Sequence, residues 1–260
     1  MRTNTVKAKL AQGKLSIGGT ISFYSPQLVE LMGALGMEWV FIDGEHGCMS
    51  ESEVEQMVRA AELFGMAPIV RVLENRPTTI LRILDVGAQG IVVPHVDTQE
   101  QAEAAVRAAK YWPLGERGSN YGTGRNNQYG IGQKDVREYF AASNKETMVI
   151  ALIESGTAVK NVEAIATTVG IDATWLGPSD MAQSMGMPPQ AEVEVALDYV
   201  VQTTVRAGKT AAVTHLPVTS FERLAQFVQM GARMIGFSPL GFMLQGVPEY
   251  AKRIRELAPS

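Results

Sequence analysis

Short apolar runs recur along the chain and alternate with longer amphipathic stretches. Several runs, such as WVFI, GIVV and MVIALI, are apolar at consecutive positions. Consecutive apolar positions are typical of strands that are covered on both faces, as in a parallel sheet. The pattern predicts eight strands, in the sequences LSIGGTISF, WVFID, PIVRV, GIVVPHV, MVIALIE, ATWLGPSD, TAAVTH and RMIGFSP.

The stretches between these strands have helical periodicity and recognisable ends. SESEVEQMVRAAELFG begins with Ser50 and an acidic first turn and ends at Gly65, and Asp97 or Thr98 is the expected N-cap of DTQEQAEAAVRAAKYW. Eight strand–helix units in a chain of about 250 residues are typical of a TIM barrel. We therefore expect an α/β fold, a TIM (β/α)8 barrel in which residues 1–260 form a single domain. A doubly wound open sheet is the alternative, but no GxGxxG motif follows the first strand.

One predicted connection, residues 113–147, is far longer than the others. It contains five glycines between Gly115 and Gly130, together with Arg117, Arg125, Asn126 and Asn127. Connections of this length without regular structure are often functional. The segment is either a lid or substrate loop, or a solvated surface excursion.

Composition excludes several classes of function. The net charge is −4, the sequence pI is about 5.5 and no Lys/Arg-rich tract occurs, so we do not expect a nucleic-acid-binding protein. No apolar run approaches the roughly 20 residues of a membrane span, and the first twenty residues contain no apolar core, so we expect a cytoplasmic protein that does not contact a membrane. The one cysteine, Cys48, rules out an internal disulfide and a cysteine-based zinc cluster, and we interpret it as a small buried residue.

Ionisable residues follow the predicted strands, where the active site of a TIM barrel is built. They are Asp43, Glu45 and His46 after strand 2, and Arg71, His95, Glu154, Asp180 and His215 at the ends of strands 3, 4, 5, 6 and 7. Two carboxylates in one pocket repel each other unless a cation lies between them or they share a proton. Glu154 and Asp180 therefore predict a site for Mg²⁺ or Mn²⁺, with two helix N-caps as the alternative. We expect His95 and His215 to be core or rim histidines rather than metal ligands.

Six motifs occur in the order, and nearly at the spacings, of a known family. They are FIDGEHG, PIVRV, ILDVGAQGIVVPHV, YWPLGERG, LIES and WLGPSDMAQSMG, and together they cover essentially the whole chain. The sequence thus resembles the HpcH/HpaI family of metal-dependent, class II pyruvate aldolases. The resemblance implies a carbon–carbon lyase that cleaves or forms 4-hydroxy-2-oxo acids, giving pyruvate or a close analogue and an aldehyde.

The resemblance also assigns the metal and the 2-oxo acid to particular residues. It implies that Glu154 and Asp180 hold a divalent metal, which would be Mg²⁺, Mn²⁺ or Co²⁺. The carboxylate of the 2-oxo acid would receive backbone N–H groups around Ser179 and Asp180, and Gly177 and Ser179 are small enough to admit it. Arg71 would stabilise the enolate oxygen.

A histidine and a carboxylate complete the implied machinery. His46 resembles the family's base, acting through a metal-bound water, and Asp85 of a neighbouring subunit would be its partner. Asp43 is a second candidate for that partner, because it is close in sequence. The resemblance therefore implies a homo-oligomer, a trimer or a hexamer, in which Asp85 faces a neighbouring subunit's site.

The chain departs from the family pattern on the aldehyde side. Leu152 stands where the family often has Gln, while His95, Thr214 and His215 stand where many members are apolar, so we expect a polar aldehyde. A lyase of the citrate-lyase-β or malyl-CoA type is the nearest alternative, with Arg117 and Arg125 as candidates for the CoA phosphates. A non-catalytic barrel that binds a keto acid is a second alternative. No Lys ends a predicted strand, which argues against a Schiff-base aldolase.

Overall fold

Eight parallel strands close into a barrel in which chain neighbours are also sheet neighbours and β8 pairs with β1. The computed structural model describes residues 2–132, 135–215 and 221–257. The strands are β1 (Ser16–Ile21), β2 (Trp39–Asp43), β3 (Ala67–Arg71), β4 (Gly90–Val93), β5 (Met148–Ile153), β6 (Ala173–Leu176), β7 (Thr210–His215) and β8 (Met234–Phe237). All eight predicted strands are present, and the prediction of a TIM barrel is confirmed.

Helices surround the barrel and lie between its strands along the chain. They are α1 (Thr5–Leu10), α2 (Pro26–Ala34), α3 (Glu51–Leu63), α4 (Pro77–Asp85), α5 (Gln99–Ala109), α6 (Val136–Glu146), α7 (Gly156–Thr167), α8 (Pro178–Ser184), α9 (Gln190–Arg206), α10 (Phe221–Gln229) and α11 (Pro239–Arg255), with a 3₁₀ turn at Arg125–Gly130. Ser50 begins α3 and Thr98 begins α5, each in a capping box that satisfies free backbone N–H groups of the first turn. Of the two N-caps proposed for α5, Thr98 is the one observed.

The strands are apolar on both faces because each face borders a separate core. In β2, Trp39 and Phe41 point into the barrel, whereas Val40 and Ile42 pack beneath the surrounding helices. The barrel interior is filled with side chains, and the rings of Trp39 and Trp175 meet edge to face with their centroids 5.5 Å apart. This double burial explains the absence of polar alternation in the strand sequences.

The segment from Lys110 to Gly132 lies at the amino ends of the strands. It follows α5 and leads through α6 into β5, so it belongs to the end of the barrel opposite the strand carboxyl ends. Arg125 anchors it by donating from Nη1 to the Val86 carbonyl at 3.0 Å and to Glu62 Oε1 at 3.1 Å. The prediction that residues 113–147 lack regular structure is wrong, because α6 occupies 136–146. A lid over the same chain's strand carboxyl ends is also excluded by this position.

Two parts of the surface differ from the expectation of a well-covered barrel. Cys48 is exposed, because it lies in the connection between β2 and α3 and not within an element that faces the core. The prediction of a buried cysteine is therefore wrong.

The last helix, α11, is largely uncovered. Only Gly241 is buried along it, and the exposed apolar side chains are Leu240, Phe242, Met243, Leu244, Val247, Tyr250 and Ile254. None of the described helices has the length and apolar character to cross a membrane.

Candidate active site

Arg71 and Asp43 form a hydrogen-bonded ion pair at the carboxyl ends of β2 and β3. They are paired residues in the sheet register, and both are buried. Arg71 donates from Nε to Asp43 Oδ1 at 2.9 Å and from Nη2 to Asp43 Oδ2 at 2.5 Å. Such a bidentate pair fixes the plane of the guanidinium as well as its position. Asp43 Oδ1 also accepts the backbone N–H groups of Glu45 and His46, each at 3.1 Å, so the same carboxylate shapes the turn after β2.

Glu45 and His95 connect this ion pair to Glu154 at the end of β5. Glu45 Oε2 lies 2.9 Å from Arg71 Nη1, and Glu45 Oε1 lies 3.5 Å from His95 Nε2. The other ring nitrogen of His95 is 3.1 Å from Glu154 Oε1, which also accepts the His95 backbone N–H at 2.7 Å. His95 has a φ of +55°, a conformation uncommon for residues other than glycine. The result is an alternating series of acidic and basic groups that runs from Asp43 to Glu154.

Arg71 keeps its positive charge in spite of its burial. Burial alone would lower its pKa, but the hydrogen bonds and charge of Asp43, together with the charges of Glu45 and Glu154, outweigh burial and raise the pKa. A guanidinium that stays charged in a partly dry site can stabilise an oxyanion strongly.

Glu154 is a buried carboxyl group that has difficulty in ionising. Burial raises its pKa, the backbone N–H and charge of His95 lower it, and the nearby charges of Glu45 and Asp180 raise it again. The net effect is a pKa above the ordinary value for glutamate. A bound cation would remove this unfavourable energy, because it replaces the missing water and offsets the repulsion between carboxylates.

The turn between β6 and α8 brings Asp180 towards Glu154. Asp180 lies in the first turn of α8, and Gly177 immediately precedes the helix. A Cβ at position 177 would come within 2.6 Å of Glu154 Cβ and 3.3 Å of Glu154 Oε2, so only glycine lets Glu154 lie directly beneath the turn. Ser179 is exposed at the start of the helix.

The two carboxylates fit a hard divalent cation bound with water and substrate oxygens. Within the described ranges, no group of three or more His, Cys, Asp or Glu side chains is arranged to hold a metal ion. A site with two protein carboxylates leaves most coordination positions open, as Mg²⁺ sites that also bind substrate do. The donor set of Glu154 and Asp180 therefore suits the metal that the sequence predicts.

His46 and Asp85 are at opposite ends of one barrel. His46 is exposed in the turn after β2, whereas Asp85 is the last residue of α4 and thus lies near the amino ends of the strands. Asp85 Oδ1 accepts from Arg117 Nη2 at 2.7 Å and from Asn126 Nδ2 at 3.1 Å. One chain does not bring His46 and Asp85 together.

Sequence reasoning missed the parts that Asp43 and Glu45 play. Asp43 is a candidate partner for His46 by sequence, but its carboxylate binds Arg71 and reaches His46 only through the backbone N–H. The sequence does contain an indication of the pairing between Asp43 and Arg71, because the two residues end adjacent strands. Thr214, expected on the aldehyde side, accepts a hydrogen bond from Trp175 Nε1 at 3.1 Å in the barrel interior. The side chain of His215 lies outside the described part of the molecule.

Comparison with known proteins finds relatives that match most of the chain. A 4-hydroxy-2-oxovalerate aldolase of Novosphingobium aromaticivorans is 37% identical over 237 residues, which cover 89% of this chain and 87% of that protein. A 5-keto-4-deoxy-D-glucarate aldolase of Shigella sonnei is 33% identical over 257 residues, which cover 97% of each. A solved HpcH/HpaI aldolase/citrate lyase family protein from Burkholderia cenocepacia J2315 superposes with a TM-score of 0.88 at 28% identity, covering 97% of this chain and 100% of that one.

The family assignment covers most of the chain. Residues 21–244 match the model of the HpcH/HpaI aldolase/citrate lyase family, so the match includes every motif on which the sequence-based resemblance rests. The chain, a carbon–carbon lyase of the aldolase type as its motifs predicted, therefore belongs to the HpcH/HpaI aldolase/citrate lyase family.

Proposed function

We propose that the protein cleaves or forms 4-hydroxy-2-oxo acids, with pyruvate or a close analogue as one product and an aldehyde as the other. The observation that carries this proposal is the buried carboxyl group of Glu154, which lies near both the half-buried Asp180 and the fixed guanidinium of Arg71. A cation site beside a permanently charged hydrogen-bond donor is suited to an enolate, whose negative charge is spread over carbon and oxygen.

Glu154 and Asp180 would hold Mg²⁺, Mn²⁺ or Co²⁺. When bound, the ion supplies Lewis-acid stabilisation of the developing negative charge on the keto acid. The pKa of Glu154 is raised in the protein without metal, so metal binding and proton release from Glu154 are coupled.

The side chains of this protein carry out the remaining steps of cleavage. His46 accepts the proton of the 4-hydroxyl group as the C3–C4 bond breaks and the aldehyde forms. The electron pair of that bond passes to the keto acid, where Arg71 donates hydrogen bonds to the enolate oxygen. A proton then returns to C3 and gives pyruvate. Backbone N–H groups around Ser179 and Asp180 would orient the carboxylate of the keto acid.

We further propose a homo-oligomer, a trimer or a hexamer, in which Asp85 of one copy approaches His46 of another. The opposite positions of these residues in one barrel support this, because a second copy is needed to bring them together. The exposed apolar side chains of α11 also support it, since large exposed apolar patches commonly mark interfaces.

The acceptor side of the site favours a hydroxylated or carboxylated aldehyde. The His95 side chain is 73% exposed and lies beside Glu45 and Glu154, so it can reach a ligand while remaining in the polar network. Sites that hydrogen-bond a substrate hydroxyl discriminate strongly against apolar analogues. We expect His95→Leu to lower kcat/KM for hydroxylated aldehydes while leaving the exchange of pyruvate methyl protons with solvent unaffected.

An acyl-CoA lyase is less consistent with the ion pairs of the protein. Arg117 and Arg125, the arginines considered for CoA phosphates, are paired with Asp85 and Glu62 and lie near the amino ends of the strands. They are therefore far from Glu154 within the same chain and already neutralised.

The test is to measure pyruvate release from a panel of 4-hydroxy-2-oxo acids after chelation and after addition of Mg²⁺, Mn²⁺ or Co²⁺. Chelation should abolish turnover and one of the metals should restore it. Arg71→Ala should lower kcat by about two to three orders of magnitude, as the loss of an oxyanion-stabilising donor does. Arg82→Ala, at an exposed helical arginine, is the control and should retain activity. Full turnover after exhaustive chelation, or a covalent adduct trapped by borohydride, would exclude the proposal.

A further inference from the structure

We propose that Arg117 and Asn126 are positioning residues that aim the Asp85 carboxylate at a second copy of the chain. Together they form the Asp85 clamp, defined as these two donors and the oxygen they share. This inference rests on the proposed function, in which Asp85 serves the His46 of another copy. It gives the segment between α5 and α6 a part in catalysis that is not that of a lid.

Arg117 is buried and held in one position, so its hydrogen bond fixes the position of the Asp85 carboxylate. Its side chain is 2% exposed, its guanidinium lies 4.9 Å from the centre of the Tyr111 ring, and Nη2 donates to Asp85 Oδ1 at 2.7 Å. The backbone is fixed as well, because the Arg117 N–H donates to the Lys110 carbonyl at 2.9 Å. A Cβ at Gly115 would come within 2.4 Å of the same carbonyl oxygen, so the chain turns here in a space that admits only glycine.

Asn126 supplies the second donor from the 3₁₀ turn. Its Nδ2 donates to Asp85 Oδ1 at 3.1 Å. The neighbouring residue Arg125 anchors the same turn through Glu62 and the Val86 carbonyl. In the described part of the chain Arg125 forms no hydrogen bond or ion pair with Asp85, so anchoring of the segment and orientation of Asp85 are performed by different residues.

Both donors converge on one oxygen of Asp85 and leave the other available. No described residue binds Asp85 Oδ2, and the Asp85 side chain is 27% exposed. A carboxylate at the last residue of a helix is disfavoured by the helix dipole, so hydrogen-bond donors are needed to hold it in place. With Oδ1 held by two hydrogen bonds, Oδ2 has a defined direction and can accept an imidazole N–H from another copy. Partners of this kind fix the tautomer and orientation of a catalytic histidine.

Asn126→Leu tests the clamp, because leucine has a similar shape and lacks the donor. Loss of an orienting hydrogen bond of this kind typically lowers activity about 10- to 100-fold. We expect kcat and the exchange of pyruvate methyl protons to fall by about tenfold, with KM for pyruvate unchanged. Asn120→Leu is the matched control, since Asn120 is exposed in the same segment and its side chain accepts a hydrogen bond from Thr123 instead of binding Asp85, and it should behave as the parent does.

Mixing of subunits separates positioning across copies from a defect within one chain. His46→Ala chains should be inactive but retain an intact clamp. When they are dissociated and reassociated with Asn126→Leu chains, sites that combine an intact His46 with an intact clamp form, and activity should exceed the sum of the two separate variants. Asp85→Asn mixed with His46→Ala should recover activity in the same way.

The results of the two mixtures distinguish failure of the shared site from failure of the clamp alone. If Asp85→Asn and His46→Ala do not complement each other, Asp85 is not shared between copies, and both the proposed oligomeric site and the clamp are overturned. If that pair complements but Asn126→Leu retains parental kcat, or is not improved by His46→Ala chains, the shared site stands and the clamp is wrong.

Discussion

Two carboxylates determine the orientation of Arg71, and each contacts a different edge of the guanidinium. Asp43 takes the Nε and Nη2 edge in a bidentate pair, whereas Glu45 contacts Nη1. In the proposed reaction an enolate oxygen would therefore approach Arg71 at the edge beside Glu45, because Asp43 occupies the other edge. Asp43 keeps the guanidinium rigid, while Glu45 connects it to His95.

At the same scale, the burial of Glu154 predicts a specific dependence of stability on pH. Its pKa is higher in the folded protein than in the unfolded chain, so the folded state binds the proton more tightly. Stability of the metal-free protein should therefore fall as pH rises through the folded-state pKa of Glu154, and it should be regained as pH falls below it. Glu154→Gln removes the titrating group but keeps an oxygen that can accept the His95 N–H.

We expect Glu154→Gln to unfold at a higher temperature than the parent protein at neutral pH in EDTA, and this advantage should shrink as the pH is lowered. Thermal unfolding followed by circular dichroism at several pH values measures it. Glu163→Gln, at an exposed position of α7, controls for the general effect of removing a negative charge. A Glu154→Gln variant that is less stable than the parent at neutral pH would contradict the inference that the buried charge of Glu154 destabilises the metal-free protein.

At the scale of elements, Lys110 joins the end of α5 to α6 and β5. It is 2% exposed, and its Nζ donates to the Asn144 carbonyl at 2.8 Å and to the Thr147 carbonyl at 2.5 Å. Burial lowers its pKa to about 8, an effect that Asp172 partly opposes. The three elements are thus connected by a cation whose charge is disfavoured by its surroundings.

The sign of this shift gives a second pH prediction. The folded state releases the Lys110 proton near pH 8, whereas the unfolded chain holds it to about 10.4, so this group makes the protein more stable as pH rises between those values. Lys110→Met should remove that contribution, although it should also destabilise the protein at pH 7, because the Asn144 carbonyl loses this donor and the Thr147 carbonyl keeps only the one from Lys7. Denaturant titrations from pH 7 to 10 measure the slope for the parent, for Lys110→Met and for Lys145→Met, an exposed control on α6. Equal slopes for the two variants would show that Lys110 does not titrate in this range.

At the scale of the whole molecule, α11 is the helix that the barrel covers least. Its exposed apolar positions include Leu240, Leu244 and Val247, which follow the spacing of one helical face. If this face contacts another copy, a charge within it must be desolvated without a partner, which is strongly unfavourable.

We expect Leu244→Glu to weaken association by at least about tenfold and to lower aldolase activity, while the far-UV circular dichroism stays that of the parent. Sedimentation velocity over a concentration series measures the association. Arg253→Glu is the control, because it lies nine residues away, about half a turn round the helix, and carries the same new carboxylate on the opposite face. An unchanged sedimentation coefficient for Leu244→Glu would place the interface elsewhere.

Local patterns in the sequence were sufficient to predict the barrel and the residues at its strand ends. Burial of each strand on two faces produces continuous apolar runs, and helix N-caps such as Ser50 and Thr98 act within four residues of sequence. Arg71 and Glu154 could be recognised because charged residues directly end or follow such runs. These features depend on neighbours along the chain, so they can be found without knowledge of the fold.

Only the tertiary structure decided which of these residues meet. Asp43 pairs with Arg71, and His95 connects Glu45 to Glu154, because parallel strands that are far apart in sequence end side by side. It likewise placed the segment between α5 and α6 at the opposite end of the barrel and left α11 exposed. Contacts of this kind depend on distances across the closed sheet, and no local periodicity or spacing encodes those distances.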